Sequence, residues 1–429
     1  MRDRRDVIIG NSAAAVGCIA GIRKSDSTTP ITLIARECEH TYARPLISYL
    51  LAGKVDERGM DYRDRGFYER NGVETILGVA VTLIDETERY VETDDGRRIA
   101  FGKLLIATGG KPVIPAGLPG TDTKGVFTFT TWEDARRIMA HIGEATVQHA
   151  VVIGGGLIGL KAVEALVELG IKTTVVELAD RILSTTFDRT ASDMALRFLE
   201  KRGVHVHCST TVSDVTCVDG RVVSAKLENG KELVCDLLIY AIGVVPDVSV
   251  AAGTGIATDR GILTDAHMQT SVPGIYAAGD VVQGIDLLTG ESRTIPILPN
   301  ATRQGVVAGV NMAGGEMTYA GGIAMNAVDI AGLPTISVGI TSSERADDEV
   351  LATSDESAGT YKKLVLRDNR IVGAIFVGDI DRAGIVTGLI KGKVDVSAFK
   401  ELLLSRDFGI ISLPLEYRKH IVSGVGIEV

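Results

Sequence analysis

The feature that most constrains the fold is a glycine-rich turn between an apolar run and a helical pattern. The run 150–153 suits a parallel strand covered on both faces, and the turn 154–159 follows it. Helical periodicity continues to residue 169, and a second apolar run ends at Glu177, 21 positions after Gly156. This order of strand, glycine turn, helix, strand and acid predicts a dinucleotide-binding βαβ unit.

The glycines of this turn have separate physical roles. Gly154 permits the tight bend, Gly156 lets the backbone approach a pyrophosphate, and Gly159 allows the helix to pack on the strand. The helix N-terminus faces the anion, and Leu157 and Ile158 in the turn are further predicted cofactor contacts. We expect the terminal acid of the unit to bind a ribose hydroxyl.

A less regular copy of the same pattern lies near the start of the chain. Its predicted cofactor contacts are Gly10, Ser12, Ala14 and Ala15. Serine and alanine replace the second and third glycines, and both are small enough for a close approach. Ala35 stands where the ribose-binding acid is expected, so we predict that Glu37, two positions on, reaches the ribose instead.

The two copies also continue alike. Each is followed by polar alternating segments and then by an apolar strand that ends in glycine, at 104–109 and at 237–243. A repeat of this size predicts an α/β fold with two Rossmann-like nucleotide domains of like topology in one chain.

Charge and hydropathy exclude several classes of function. The net charge of −10, with no basic run, argues against a protein that binds nucleic acid by neutralising phosphates. The longest apolar runs have the length of strands, far below the ~20 residues of a membrane span. No signal-peptide core follows Met1, so a cytoplasmic location is expected.

The cysteines give no metal or disulfide pattern. They are odd in number and lack CxxC spacing, at Cys18, Cys38, Cys208, Cys217 and Cys235. His205 and His207 lie on a predicted strand without a second pair of ligands. We therefore predict no metal site.

With these residues in view, the chain resembles the pyridine-nucleotide-disulfide oxidoreductases, flavoproteins with two dinucleotide domains of the glutathione-reductase-like fold. The most specific match is TSVPGIYAAGD at 270–280, which resembles the second FAD motif of that family. The resemblance implies that Asp280 holds a ribityl hydroxyl of FAD. Ala107, Thr108 and Gly109 are similar to the ATG segment of the same family.

The resemblance also implies a domain order. An FAD-binding domain at 1–112 and 246–316 is split around an NAD-binding domain at 113–245, and an α+β interface domain at 317–429 forms a homodimer. In that last domain, alternation at 361–367 and 370–377 predicts paired strands, and a helix is expected through 385–390.

The stretch YARPLIS at 42–48 distinguishes among branches of the family. Disulfide reductases carry a cysteine pair on the helix beneath the flavin, and the coenzyme A disulfide reductase and NADH oxidase or peroxidase branch carries one cysteine. This chain has Pro45 there and is similar to the rubredoxin, ferredoxin and nitrite-reductase-associated NADH reductases. The resemblance implies that Arg44 and Pro45 pack against the isoalloxazine of FAD or place a positive charge beside it. Alternatively, Arg44 merely starts a helix.

A second departure concerns Lys161, where many members of the family have a glutamate near the nicotinamide. The lysine either stabilises reduced flavin or positions NADH, or it is simply solvated. The other cofactor-binding residues implied by the resemblance are Val81, Gly243 and Gly279.

The resulting hypothesis is an FAD-dependent NADH oxidoreductase, with FAD and NAD as cofactors. It passes electrons from NADH to a small carrier protein such as rubredoxin or ferredoxin, and its catalytic candidates are Arg44, Pro45 and Lys161. Two alternatives stay open: an NADH oxidase that reduces oxygen directly, and a flavin-binding redox sensor or docking subunit with slow turnover.

Overall fold

A computed structural model describes residues 5–342, 345–415 and 418 of the protein. The strands, numbered in chain order, are β1 Asp6–Ile9, β2 Ile31–Ala35, β3 Val73–Leu77, β4 Val81–Asp85, β5 Tyr90–Thr93, β6 Arg98–Ala100, β7 Lys103–Ile106, β8 Gly110–Pro112, β9 Val126–Thr128, β10 His149–Ile153, β11 Lys172–Val176, β12 His205–His207, β13 Val212–Val218, β14 Arg221–Leu227, β15 Glu232–Val234, β16 Leu237–Tyr240, β17 Val244–Pro246, β18 Ile262–Leu263, β19 Ile275–Ala277, β20 Val282–Ile285, β21 Ser292–Thr294, β22 Met325–Ile330, β23 Leu333–Gly339, β24 Glu349–Asp355, β25 Thr360–Arg367 and β26 Arg370–Val377. The helices are α1 Ala13–Ser25, α2 Ile47–Leu51, α3 Phe67–Arg70, α4 Trp132–Glu144, α5 Leu157–Glu168, α6 Arg189–Lys201, α7 Leu298–Met312 and α8 Ala383–Lys391.

The chain forms two compact units. The first contains 1–147, 217–222 and 236–323, and the second contains 148–216, 223–235 and 324–429. Within the described ranges, no helix is long and apolar enough to cross a membrane.

The first unit is built on a parallel sheet with the strand order β19-β7-β1-β2-β3. Val7, Leu33 and Leu105 are completely buried, as expected for strands covered on both faces. Ile9 pairs in register with Ile34 on one side and with Ile106 on the other. The carboxyl ends of these strands therefore meet at one edge of the sheet, where ligands of such folds bind.

Helices α1 and α7 pack backbone against backbone because each carries two glycines one turn apart. A Cβ atom on Gly17 would lie 2.3 Å from the carbonyl oxygen of Thr302, and one on Gly305 would lie 2.0 Å from that of Ala14. The second glycine of each helix makes the same kind of contact. This close packing joins the helix after the first glycine turn to the helix that follows the second FAD motif.

In the second unit β10, β11 and β12 are parallel, and α5 connects β10 to β11. Ile153 pairs with Val176, which pairs in turn with His207. The residues after these three strands, including Gly154 and Glu177, therefore lie at a common edge. The predicted βαβ unit is confirmed with its strand ends within one residue of those expected.

The C-terminal part of the second unit contains an antiparallel sheet in the order β22-β23-β26-β25-β24, with α8 packed on β26. Strands β25 and β26 form the predicted pair, and Asp368 and Asn369 between them have φ values of 49° and 56°. Positive φ at both positions is typical of a type I′ hairpin turn. Helix α8 confirms the helix expected through 385–390.

Asp188 joins this sheet to the nucleotide-binding part of the same unit. Its carboxylate accepts the Ala191 N–H at the start of α6 at 3.0 Å. It also accepts the Tyr361 hydroxyl at 2.7 Å and the Lys363 ammonium at 3.0 Å, both from β25. A helix cap and a buried ion pair therefore share one carboxylate.

Candidate functional site

The first glycine turn lies at the ligand-binding edge of the first unit. Gly10 has φ +113°, and a Cβ atom there would lie 2.1 Å from the carbonyl oxygen of Ala107. Only glycine fits such a position. Ser12 precedes α1 in an extended conformation, so the free N–H groups of the first helical turn lie beside the turn, where they can bind an anion.

The second FAD motif meets this turn. Gly279 has φ +88°, and a Cβ atom there would lie 3.1 Å from the Cβ of Ala14, while Ala15 is fully buried. The Gly279 N–H donates to the side-chain oxygen of Gln304 at 2.8 Å. The structure thus brings together the predicted residues of both motifs, and Gln304 on α7 holds the glycine in place.

Asp280 presents a carboxylate at the same edge. Burial raises the pKa of this carboxyl, and the positive charge of Arg44 partly opposes the shift. Among the described residues, none donates a hydrogen bond to the Asp280 carboxylate. A half-buried acceptor without a protein donor suits the hydroxyl of a ligand.

Glu37 forms a network with the stretch that follows it. One carboxylate oxygen accepts the Tyr42 hydroxyl at 2.5 Å, and the other accepts the Arg44 guanidinium. The Tyr42 oxygen accepts the backbone N–H of Trp132 at 3.1 Å, and Arg44 donates to the carbonyl of Thr130 at 3.0 Å. Each oxygen of Glu37 retains a second lone pair, so the carboxylate can still accept a ribose hydroxyl as predicted.

Arg44 and Pro45 lie on a single 3-10 turn, Arg44–Leu46, which leads into α2. The Arg44 side chain is 41% exposed, and its guanidinium stands over the Tyr42 ring, 5.3 Å from the centroid. Arg44 therefore does begin a helical turn, as the alternative proposed, and it also carries a charge that acts on Asp280.

The ATG segment has a structural contact of its own. The Thr108 hydroxyl donates to the backbone carbonyl of Asp247 at 2.7 Å, and the Asp247 N–H donates to the Gly109 carbonyl at 2.9 Å. These bonds join the two chain segments that lie beside the predicted domain boundaries at 112/113 and 245/246. Val81 is buried at the start of β4.

The second glycine turn lies at the edge of the second unit. Gly154 has φ +111°, almost the value of Gly10. Glu177 accepts the Gly155 N–H at 2.6 Å with one carboxylate oxygen and the Ala179 N–H at 2.7 Å with the other. Apart from Gly156 itself and its chain neighbours, no heavy atom of the described residues lies within 4 Å of a Cβ built on Gly156, so this glycine faces open space.

The first turn of α5 contains Leu157, Ile158 and Gly159, so the helix begins three residues before the expected start at Leu160. Gly243, in the first unit, has φ +116° and also faces open space. Lys161 forms an ion pair with Glu164 one turn further along α5, and its side chain is only 18% exposed. The lysine is therefore paired and mostly buried rather than solvated.

None of the five cysteines forms a disulfide bond within the described residues. Cys18 is buried on α1, and burial raises its pKa. Cys38 is exposed and lies against Gly78 at the end of β3; a Cβ atom on Gly78 would be 2.9 Å from its sulfur. Ser48 is the buried polar residue of α2, where the thiol of other branches is expected. The described residues contain no cluster of His, Cys, Asp and Glu suited to a metal ion.

Two contacts of this site were not expected from the sequence. Gln304 holds the Gly279 N–H, and Trp132 contributes a backbone N–H to Tyr42. No signal in the sequence marks Gln304, which lies among small residues on α7. Tyr42 was visible in the YARP motif, but its bond to Glu37 depends on the backbone path between them.

Both cofactor sites pass a geometric test. The first unit offers a close backbone approach at Gly10, free helical N–H groups and an unpartnered carboxylate at Asp280, which suit the phosphates and ribityl chain of FAD. The second unit offers the open Gly156 and the fixed Glu177, which suit a nicotinamide dinucleotide. These features define an oxidoreductase with two dinucleotide sites.

Comparison with known proteins gives the family. The sequence profile of the pyridine nucleotide-disulphide oxidoreductases matches residues 4–305, and that of the rubredoxin NAD+ reductase C-terminal domain matches 325–394. The chain belongs to the pyridine nucleotide-disulphide oxidoreductase family. It is an enzyme of the FAD and NAD(P)H class, and the predicted family and fold class are confirmed.

Three similar proteins show the range of this family. The epsilon subunit of NADH-dependent phenylglyoxylate dehydrogenase from Aromatoleum evansii is 33% identical over 94% of this chain and 95% of its own length. The nitrite reductase [NAD(P)H] of Bacillus subtilis is 30% identical over 92% of this chain, which spans only 48% of that protein. The structure of an NAD-dependent persulfide reductase from A. fulgidus has a TM-score of 0.84 at 27% identity, covering 91% of this chain and 77% of that one.

Proposed function

We propose that the chain is an FAD-dependent NADH oxidoreductase that passes electrons to a small carrier protein such as rubredoxin or ferredoxin. When bound, FAD accepts a hydride from NADH and releases the two electrons singly, which is the chemistry of the cofactor. The similarity of residues 325–394 to the C-terminal domain of rubredoxin NAD+ reductase supports this class of acceptor.

The observation that carries the proposal is the absence of a thiol on the turn and helix at 44–51. Arg44, Pro45 and Ser48 occupy this segment, and Cys38 lies outside it, against Gly78. A disulfide relay needs two thiols within bonding distance, and a single-cysteine relay needs a thiolate at the flavin. Without either, the chain supplies no thiol relay, and a bound flavin would pass its electrons directly to an external acceptor.

We assign the cofactor contacts as follows. For FAD they are Gly10, Ser12, Ala14, Ala15, Glu37, Arg44, Pro45, Val81, Ala107, Thr108, Gly109, Gly279 and Asp280. For NADH they are Gly154, Gly156, Leu157, Ile158, Gly159, Glu177 and Gly243. Arg44 supplies positive charge near Asp280, and Lys161 is assigned to the nicotinamide end with its charge balanced by Glu164.

The test is a stopped-flow comparison of acceptors. The flavin is reduced anaerobically by NADH and mixed with oxidised rubredoxin, oxidised ferredoxin or air-saturated buffer. Reoxidation by a carrier protein faster than by air supports the proposal. Faster reoxidation by air identifies an NADH oxidase, and slow reoxidation by every acceptor identifies a redox sensor or docking subunit; both results would refute it.

Association and location are further parts of the proposal. We propose a cytoplasmic homodimer formed through an interface domain at 317–429, with the FAD-binding domain at 1–112 and 246–316 and the NAD-binding domain at 113–245. The epsilon-subunit relative supports association with other chains as well. Sedimentation of the purified protein at micromolar concentration tests the dimer, and a monomer would refute it.

A further inference from the structure

Two arginines follow the fixed acid of the second glycine turn, and one aspartate holds both. Asp180 forms an ion pair with Arg181 at 2.8 Å through one carboxylate oxygen and with Arg189 through the other. The Arg181 side chain is 24% exposed and also donates to the carbonyl of Ser184 at 3.3 Å. The Arg189 side chain is 57% exposed, and Asp180 is its charged partner.

This ion pair lies at the nucleotide edge of the second unit. Glu177 is fixed by the N–H groups of Gly155 and Ala179, and Ala179 adjoins Asp180. The Leu183 N–H donates to the Gly155 carbonyl at 2.9 Å, which brings the segment 180–183 against the glycine turn.

The thiol of Cys208 lies near the same charged groups. Its pKa is raised by burial and by the negative charges of Glu177 and Asp180, while Arg189 opposes the shift. The charges of both acids and of the exposed arginine therefore act on the pKa of one thiol. The four charged groups after β11 therefore lie close together, and their formal charges sum to zero.

The chemistry of the two nicotinamide nucleotides differs at this edge. A ribose 2′-hydroxyl needs an acceptor such as Glu177, whereas a 2′-phosphate needs a free cation and is repelled by a carboxylate. Arg189 is the first residue of α6, where the helix dipole disfavours a positive charge, so it depends on Asp180 for compensation.

We propose that Asp180 is a specificity-determining residue that selects NADH by withholding the Arg189 guanidinium from the 2′-position of the bound nucleotide. Arg181 is less exposed than Arg189 and also donates to the Ser184 carbonyl at 3.3 Å, so we expect Arg189 to be the cation that becomes available when Asp180 is removed. This inference rests on the proposed use of NADH, and it adds a second determinant beside Glu177.

The test uses the flavin-loaded Asp180→Asn variant, which keeps the size of the side chain. The rate of anaerobic flavin reduction is measured with NADPH and with NADH, so no acceptor protein is needed. The ratio of the NADPH to the NADH second-order rate constants should rise about tenfold, as expected for one charge-assisted bond at a partly exposed site. In Asp180→Asn/Arg189→Met the ratio should return to that of the parent.

A binding measurement separates this inference from the proposed function. Adenosine 2′,5′-bisphosphate should bind more tightly to Asp180→Asn than to the parent in calorimetry, whether or not NADH reduces the flavin. Asp379→Asn removes the same charge from an ion pair with Lys362 in the C-terminal sheet and serves as the control. An unchanged ratio and affinity in Asp180→Asn, an increase that persists with Arg189→Met, or an equal increase in the control would each overturn the proposal.

Discussion

The two glycine turns share a backbone conformation at their first glycine, but the acidic residue associated with each turn is held by different hydrogen-bond donors. Gly10 and Gly154 have φ values of +113° and +111°, and each N–H donates at 2.8 Å to the end of the neighbouring strand. In the second turn the acid, Glu177, directly follows β11 and accepts backbone N–H groups. In the first turn the acid is displaced to Glu37 and accepts side chains.

This difference shows that the βαβ geometry persists while the groups that hold the acid change. A carboxylate fixed by backbone N–H groups depends on few side chains. The carboxylate of Glu37 depends on Tyr42 and Arg44, and through them on the segment of Thr130 and Trp132. Substitutions in the first site should therefore affect a wider set of contacts than those in the second.

The largest contrast is expected between Gly10→Ala and Gly156→Ala. A methyl group at Gly10 would lie 2.1 Å from the Ala107 carbonyl at a positive φ, and should reduce the free energy of unfolding by about 3 kcal/mol or more. Gly156 has φ −82° and open space, so its alanine variant should change that free energy by only about 0.5 kcal/mol.

Denaturant unfolding of the two flavin-loaded variants measures this contrast. The alanine at Gly156 should instead weaken NADH binding, because its methyl group points into the open space assigned to the nucleotide. Equal destabilisation by both substitutions would contradict this contrast, because it would show that Gly156 is as constrained as Gly10.

The next effect concerns the choice of nucleotide at Glu177. The parent enzyme should prefer NADH to NADPH by roughly ten- to a hundredfold in kcat/KM, because the carboxylate accepts a ribose hydroxyl and repels a phosphate, about 1.5 to 3 kcal/mol in all. Glu177→Gln should remove most of this preference. Steady-state kinetics with both nucleotides provides the measurement, with Glu232→Gln as a control on β15 of the same unit. Equal kcat/KM values for the parent would contradict the assignment.

The sequence predicted the second site more completely than the first, for a physical reason. The positions of Gly154 and Glu177 follow from spacing along one βαβ unit, so a local pattern suffices. In the first unit the partners of Glu37 and Gly279 come from distant segments, such as Trp132 and Gln304. The family resemblance located Asp280, but only the packing of α1 against α7 explains why it meets the first turn.

A smaller effect is expected at Asp280, the counterpart on the FAD side. Asp280→Asn should weaken FAD retention about tenfold or more, through loss of a charged hydrogen-bond acceptor. The same substitution should stabilise the apoprotein at neutral pH. Because burial raises the pKa of Asp280 in the folded state, ionisation costs stability as the pH rises through that value.

Thermal unfolding of the parent and Asp280→Asn apoproteins across pH measures which of the two is more stable at each pH. The advantage of the asparagine variant should shrink as the pH falls toward 3.8, the ordinary value for this carboxyl, because the parent is then protonated as well. An asparagine variant that keeps FAD as tightly as the parent would contradict the assigned ribityl contact.

The smallest effect is predicted at the cysteines beside the two acids. Cys38 follows Glu37 in the first unit, and Cys208 lies near Glu177 in the second. Neither lies on the turn and helix at 44–51, and burial raises the pKa of Cys208, which disfavours its thiolate. Cys38→Ser should therefore keep NADH-dependent reduction of a one-electron acceptor within about twofold, since exposed polar substitutions are usually mild. The exposed Cys217 in the same unit provides a matched control, as Cys217→Ser.

Replacing all five cysteines costs stability through the buried ones, so that variant is assayed only as folded, flavin-loaded protein. If Cys38→Ser alone abolished turnover while FAD stayed bound and was still reduced by NADH, a thiol relay would operate in the first unit. The two glycine turns would then differ in chemistry as well as in the way they hold their acids.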